Sequence, residues 1–323
     1  MSSNSFAGKK VLITGGAGFL GCNLARELVS QNADVTVSTR SGKNTDNLHD
    51  IGSKIKIVEG DLANENFVEE QLNGIEYLFH FAWQNDLKRS MAQPKEDIKA
   101  DMIGLLNILE TAKNFPNLKI LFASTSTIIG MPSKLPCDEM ERDNPLSVYE
   151  INKLAAEHYL KVYYKSYGVK STVIRLSNVF GEYQRIDNPG RGVLNFMIGK
   201  AFRGEKLTIY GKGDFIRDYT YMKNYMDAFM MAMLSPNTNG EMYILGSGKG
   251  LMFTEIVEKI QAAFKEMYNK NVESVFIHFP KGENEVNKRN FIADCTKLTK
   301  ATGWVPKISF DEGLKRTIEF YNK

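Results

Sequence analysis

Nowhere in its 323 residues does the chain hold a run of the roughly 18 apolar side chains that a membrane-crossing helix needs. The opening residues, MSSNSFAGKK, lack the apolar centre of a secretory signal. Cysteine is scarce: Cys22, Cys137 and Cys295 lie far apart without metal-ligand spacing, and as an odd number they cannot all pair. These absences argue for a cytoplasmic protein with reduced thiols, no membrane partner and no metal. A charge excess is missing too. The net charge of +3 is too slight to draw nucleic acid. With no repeats and no low-complexity linker, the length implies one large or two modest domains. Hydrophobic content of 43% and charged content of 24% suffice for a substantial core.

Glycine, by contrast, is concentrated near the start. Val11-Leu12-Ile13 runs into Thr14-Gly15-Gly16-Ala17-Gly18-Phe19-Leu20-Gly21, and an amphipathic stretch from Asn23 to Val29 follows. This reads as a buried strand, a tight turn and a helix. Glycine lets the backbone turn and approach a phosphate, and the helix N-terminus offers free N–H groups and a positive dipole end. The spacing Gly15-x-x-Gly18-x-x-Gly21 is one residue wider at its front than the common dinucleotide fingerprint. A second alternation, Asp34-Val35-Thr36-Val37, comes about one βαβ step later. We therefore expect a dinucleotide on this loop, bordered by Gly15, Gly18, Phe19, Leu20 and Gly21.

Strand and helix patterns alternate through the first half. Strands are expected at 54–58, 77–81, 119–123 and 171–175, and helices at 67–72, 97–113 and 148–167. That order predicts an α/β fold with a Rossmann-like, doubly wound parallel sheet. After Asn178 the pattern loosens, with a glycine-rich loop at 181–192, helices from Val193 and into Met233, and one more central strand at 241–245. A smaller, interwoven α/β domain is expected. Residues 1–178 and 219–247 would form the dinucleotide domain, and 179–218 with 248–323 the substrate domain.

Tyr149-Glu-Ile-Asn-Lys153 puts a phenol and an ammonium one helical turn apart on one face. A free tyrosine, with a pKa near ~10, is a poor base at neutral pH. A neighbouring cation would draw that value down and let the pair exchange a proton with a sugar oxygen.

Beyond these, TGGAGFLG (14–21), EGDL (59–62), HFA (80–82), STSTIIG (124–130), NPLSVYEINKLAAEHYL (144–160), RLSNVFG (175–181), IYGKGDFIRDYTYM (209–222) and ATGWVPKISFDEGLKRTIEFY (301–321) appear in order. With these pieces the chain resembles an extended short-chain dehydrogenase/reductase of the nucleotide-sugar epimerase/dehydratase type over nearly its whole length. That resemblance implies a homodimer formed by the helix pair 97–113 and 148–167, and a nucleotide-sugar substrate. It implies that Thr125 hydrogen-bonds the reacting sugar oxygen, Tyr149 is the acid/base and Lys153 also binds the nicotinamide ribose. Asp61 and Leu62 would flank the adenine, Ala82 would line the cofactor cleft, and Asn178 and Arg217 would contact the substrate diphosphate.

Departures from the family narrow the chemistry. Sugar 4,6-dehydratases of the family need a carboxylate just after the catalytic Thr, whereas Ser126 and Thr127 stand here. Dehydration is therefore disfavoured. The second strand ends Val37-Ser38-Thr39-Arg40-Ser41, with Lys43 beyond. No acid is there to grip a ribose 2′-OH, and Arg40 suits a 2′-phosphate, which favours NADP over NAD. Asp101 replaces an Asn to which the family assigns a water chain. Glu283-Asn284-Glu285 lacks a second diphosphate-binding arginine, for which Lys288 or Arg289 could substitute. The sequence narrowly favours a 4-keto-sugar reductase. The alternatives are a UDP-glucose 4-epimerase-like enzyme with retained NAD and, behind it, a non-catalytic dinucleotide sensor.

Overall fold

The computed structural model describes residues 6–42, 44–279 and 288–322. Lys43 and the 283–285 segment lie outside the described residues. In chain order the elements are β1 (Lys10–Thr14), α1 (Phe19–Ser30), β2 (Asp34–Thr39), β3 (Lys56–Glu59), α2 (Glu65–Leu72), β4 (Tyr77–His80), α3 (Leu87–Ala92), α4 (Pro94–Ala112), β5 (Lys119–Thr125), α5 (Val148–Tyr167), β6 (Lys170–Leu176) and β7 (Asn178–Phe180). Then come α6 (Val193–Arg203), β8 (Leu207–Tyr210), β9 (Ile216–Arg217), β10 (Tyr219–Tyr221), α7 (Met222–Leu234), β11 (Glu241–Leu245), β12 (Leu251–Met252), α8 (Phe253–Tyr268), β13 (Ser274–Ile277), α9 (Thr296–Thr302) and α10 (Phe310–Tyr321).

The expected parallel sheet is present. Its seven strands run in the order β11-β6-β5-β4-β1-β2-β3, every neighbouring pair parallel. Every residue of β5 is buried, as a strand covered on both faces must be. Side chains alternate between the faces. Val11 and Ile13 join one core cluster with Leu24 of α1 and Phe229 of α7, while Leu12 joins a second with Leu105 of α4 and Leu160 of α5. The first cluster continues without a break into Leu194, Trp304, Leu314 and Ile318, so the C-terminal elements share their core with the sheet.

Element ends shift by a few residues from the sequence reading, and some features differ more. Glu241–Leu245 is an edge strand of the sheet, paired only with β6, and not an interior one. α4 starts at Pro94, three residues early, because proline at the first helical position gives up only an N–H that has no helical partner anyway. α8, which the sequence pattern ends at Phe264, runs on to Tyr268, where Asn269 ends it in the left-handed region at φ 51. Ser274–Ile277 pairs with β8 as a short parallel ladder, which local pattern alone did not reveal. Among the described residues no helix is long and apolar enough to cross a membrane, and no cluster of His, Cys, Asp or Glu could hold a metal ion.

β1 lies between β2 and β4, so the winding reverses there and opens a crevice at the C-terminal strand ends. Thr14, His80 and Thr125 are the last residues of β1, β4 and β5.

Candidate active site

The glycine turn closes one side of this crevice. Gly15 has φ +66, and a Cβ there would meet the Ala82 nitrogen at 2.7 Å. Only glycine permits both the left-handed turn and this approach. A Cβ on Gly21 would lie 2.4 Å from the Gly16 Cα, so α1 packs directly on the turn. Gly15 N–H donates to the Ser38 carbonyl at 3.0 Å, and Ala82 N–H to Thr14 Oγ1 at 3.3 Å. α1 opens at Gly18 with no side-chain cap, and Phe19 and Leu20 form its half-buried first turn. Its leading N–H groups are left for an external acceptor. A close-approach glycine and an uncapped helix start together fit a dinucleotide pyrophosphate.

Thr125 and α5 form the other side. Ser147 caps α5 by accepting the Glu150 N–H at 3.3 Å, and Gly168 ends it at φ 72. A buried ion pair fixes the helix laterally: Arg175 of β6 reaches Glu157 of α5 through Nε at 3.0 Å and Nη2 at 2.7 Å. Tyr149 is thereby held in the first turn, its N–H on Ser90 Oγ at 3.2 Å. Thr125 Oγ1 lies 2.9 Å from Thr127 Oγ1 and is nearly buried. The Thr125 hydroxyl lowers the Tyr149 phenol's pKa slightly, as a neighbour on the same side of the crevice.

Lys153 departs from expectation. Its ammonium donates to the Ala123 carbonyl at 2.6 Å and sits 4.0 Å from the Trp83 ring centre and 4.3 Å from that of Phe122. Burial draws its pKa down, so its charge is weakened. Tyr149 is not lowered by it. Burial, and then the carboxylates of Asp101, Glu150 and Asp97, push the phenol well above the tyrosine range, with the Thr125 hydroxyl acting the other way. Residue spacing could not reveal this, because the carboxylates of Asp97 and Asp101 come from another helix.

Those two carboxylates belong to a buried polar group that sequence reasoning missed as a unit. Asp97 and Asp101 stand one turn apart on α4. Asp97 accepts from Gln84 Nε2 at 2.8 Å and Asn152 Nδ2 at 3.0 Å, and Asp101 takes the Gln84 backbone N–H. Burial raises the Asp101 carboxyl far above the usual carboxylate range. The i, i+4 aspartates on α4 and the Asn152-Lys153 pair were the available signals. Trp83 is packing for Lys153, meeting Phe122 edge-on at 5.2 Å.

The remaining residues divide between the two ends of the crevice. Arg40 is exposed just past β2, and its charge is felt at Asp101. Asp61 is exposed, its Oδ1 accepting the Ala63 N–H at 2.9 Å, and Leu62 packs under Gly104. At the opposite end, Asn178 opens β7, which pairs with Tyr219 of β10. Arg217 stacks 4.5 Å from the Phe215 ring and donates through Nη1 to the Arg289 carbonyl. Asp218, beside it, is wholly buried and taken by Ser247, Gly248 and Ala293 N–H groups. Arg289 is also buried and bonds Ser126.

The family model described as GDP-mannose 4,6 dehydratase matches residues 12–317. A UDP-N-acetyl-alpha-D-glucosaminuronate decarboxylase of Bacillus cytotoxicus is 30% identical over 325 residues, 98% of this chain and 98% of its own. Among solved structures, a UDP-glucose 4-epimerase of Thermotoga maritima with UDP-glucose superposes with TM-score 0.87 at 31% identity, covering 97% of this chain and 98% of that one. A Thermus thermophilus UDP-glucose 4-epimerase in complex with NAD gives TM-score 0.84 at 28% identity, covering 97% and 99%.

Proposed function

The chain belongs to the extended short-chain dehydrogenase/reductase family of nucleotide-sugar epimerases, dehydratases and decarboxylases, and on that footing we propose that it is a nucleotide-sugar 4-epimerase with retained NAD. One observation carries the reading. The turn after β5, Thr125-Ser126-Thr127, presents hydroxyls only, which can steer a sugar oxygen but cannot remove a C5 proton near neutral pH. Dehydration therefore stays disfavoured, and likeness to two 4-epimerases over nearly the full chain supports C4 inversion.

In this reading the Gly15–Gly21 turn, Phe19 and Leu20 hold the pyrophosphate, Asp61 and Leu62 flank the adenine, Ala82 lines the cleft and Lys153 holds the ribose. A bound nicotinamide supplies reversible hydride acceptance at sugar C4. Tyr149 exchanges a proton with the C4 oxygen while Thr125 hydrogen-bonds to it, so the oxygen passes between hydroxyl and carbonyl. Asn178 and Arg217 bind the diphosphate, leaving the sugar free to present its other face. Residues 179–218 and 248–323 make up the substrate domain, and residues 1–178 and 219–247 the dinucleotide domain.

A second reading, a 4-keto-sugar reductase using NADPH, is favoured by two observations. Arg40 stands exposed at the end of β2 where no acid is present. Tyr149 is held in its protonated form, the form that donates to a carbonyl oxygen. The test is the dinucleotide carried by the purified protein. Stoichiometric NAD and interconversion of C4 epimers without added cofactor are expected. An empty site with NADPH consumption on a 4-keto sugar replaces this reading with the reductase. A bound dinucleotide with no turnover would leave a sensor.

A further inference from the structure

Lys153 is 3% exposed, and among the described residues its ammonium makes one hydrogen bond, to the Ala123 carbonyl at 2.6 Å, and no ion pair. The charged groups that face it are Asp101 of α4 and Glu157 of α5, which attract it, and His80 of β4, whose protonation it opposes. Tyr149, one turn earlier on α5, is held protonated and brings no charge. Both carboxylates are committed elsewhere. Glu157 is taken by Arg175 and by the Ser124 hydroxyl. Asp101 takes the Gln84 N–H, and burial favours its protonated form. Burial works against the ammonium as well. A buried cation without an ion pair is costly to keep.

Two rings supply what the carboxylates do not. The ammonium lies 4.0 Å from the Trp83 ring centre and 4.3 Å from that of Phe122, and the two rings meet at 68°, so they form the walls of a corner. The negative face of an aromatic ring attracts a cation within about 6 Å, indole most strongly and most of all where water is excluded. Trp83 is fixed from both sides, with the Ala82 N–H on Thr14 Oγ1 at 3.3 Å and the Gln84 N–H on Asp101 at 2.9 Å. Its indole N–H is buried with no partner among the described residues, so the ring forgoes a hydrogen bond to lie against the ammonium. A π face also spends none of the ammonium's three N–H donors. One is on Ala123, which leaves two for a ligand.

We propose that Trp83 is a positioning residue for Lys153: with Phe122 it forms an aromatic corner that keeps the ammonium charged and in place without a carboxylate, so that dinucleotide retention depends on it. This deepens the reading above, in which Lys153 holds the nicotinamide ribose, and rests on it.

The test is the pH dependence of dinucleotide release, followed as the loss of bound NADH fluorescence when NADH-loaded protein is chased with excess NAD. Release should quicken as pH rises and Lys153 loses its proton. Trp83→Leu, which fills space without a π face, should move that rise down by about one pH unit or more, with rates converging on wild type at low pH. Trp83→Phe should restore most of the wild-type profile. Release quickened by one factor at every pH in Trp83→Leu makes Trp83 packing only and overturns the inference, as does a profile superimposable on wild type. Lys153→Met should release fast with no pH step. If it keeps the wild-type rates and profile instead, the ribose role of Lys153 falls and the inference with it. A second measurement needs no Trp83 variant and stands even if Trp83→Leu does not fold. The chain has two tryptophans, and the other, Trp304, is 2% exposed and bonded to the Asn224 carbonyl. Tryptophan emission of the wild type should change as Lys153 titrates, and that step should be missing from Lys153→Met. The same curve in both proteins overturns the inference.

Discussion

Asp101 receives the Gln84 backbone N–H on both carboxylate oxygens, at 2.9 and 3.1 Å. The contact brings a carboxylate of α4 to the face on which α5 carries Tyr149 and Lys153, and its negative charge helps hold the phenol up. Asp101→Asn keeps the shape and an acceptor for Gln84 but removes the charge. Oxidation of a C4 hydroxyl needs the ionised phenol, so activity rises with pH through the Tyr149 pKa. The variant should move that rising limb to lower pH. Because burial raises Asp101 itself, the two profiles should converge as pH falls and Asp101 takes up its proton. Superimposable kcat/KM profiles would remove Asp101 from the electrostatics of the site.

Tyr149→Phe should keep the fold and dinucleotide binding while kcat falls by at least ~10²-fold, the low end for general acid–base catalysis. The backbone bond to Ser90 and the cap at Ser147 do not involve the phenol. Near-normal turnover by the variant would sink the proposed proton transfer.

Arg40→Ala tests the cofactor. The side chain is exposed, and if the second reading, the NADPH-using reductase, holds, the variant should weaken NADPH by roughly ten- to hundredfold, the worth of a charge-assisted bond, whereas the NAD-retaining epimerase should show no such selective loss. NADH affinity should stay within about twofold of wild type. Equal losses for both dinucleotides would show that Arg40 does not read a 2′-phosphate.

His80 predicts an acid-sensitive stability. It is buried with Nδ1 2.7 Å from Thr14 Oγ1, and burial first, then Lys153, drives its pKa from 6.5 down to about 3. Below its unfolded value the unfolded chain binds a proton that the folded chain refuses. Stability is therefore full above pH 6.5 and declines as pH falls toward about 3, by ~1.4 kcal/mol per pH unit from this group. His80→Asn should flatten the decline in urea unfolding between about pH 7 and about pH 4. An unchanged slope would mean that other groups govern it.

The outer faces of α4 and α5 leave Ile98, Ile103, Ile151, Tyr159, Val162 and Tyr167 exposed. Two such faces brought together by a twofold axis would bury them in a four-helix arrangement. Light scattering at micromolar concentration should return twice the chain mass. The pair Ile151→Asp and Val162→Asp should shift it toward the monomer. A wild-type monomer would rule the dimer out.

The fold and the crevice were legible in the chain because their signals are local. Apolar runs broken by glycine and spaced helices dictate a doubly wound sheet, and Gly15 is readable because a left-handed turn leaves no other choice. Tyr149 and Lys153 were readable as one face of one helix. What the tertiary structure decided is how charges from different elements meet. Asp97 and Asp101 come from α4, and Gln84 from the segment after β4, so only packing shows that they push Tyr149 upward. Lys153 could be expected to act on its helical neighbour, yet it turns to the Ala123 carbonyl two residues before Thr125. Arg289 lies 163 residues from Ser126 along the chain, and no periodicity joins them. Sequence fixes each residue's secondary structure through its near neighbours, whereas the protonation and pairing of a buried group depend on everything within a few ångströms, whatever its distance in sequence.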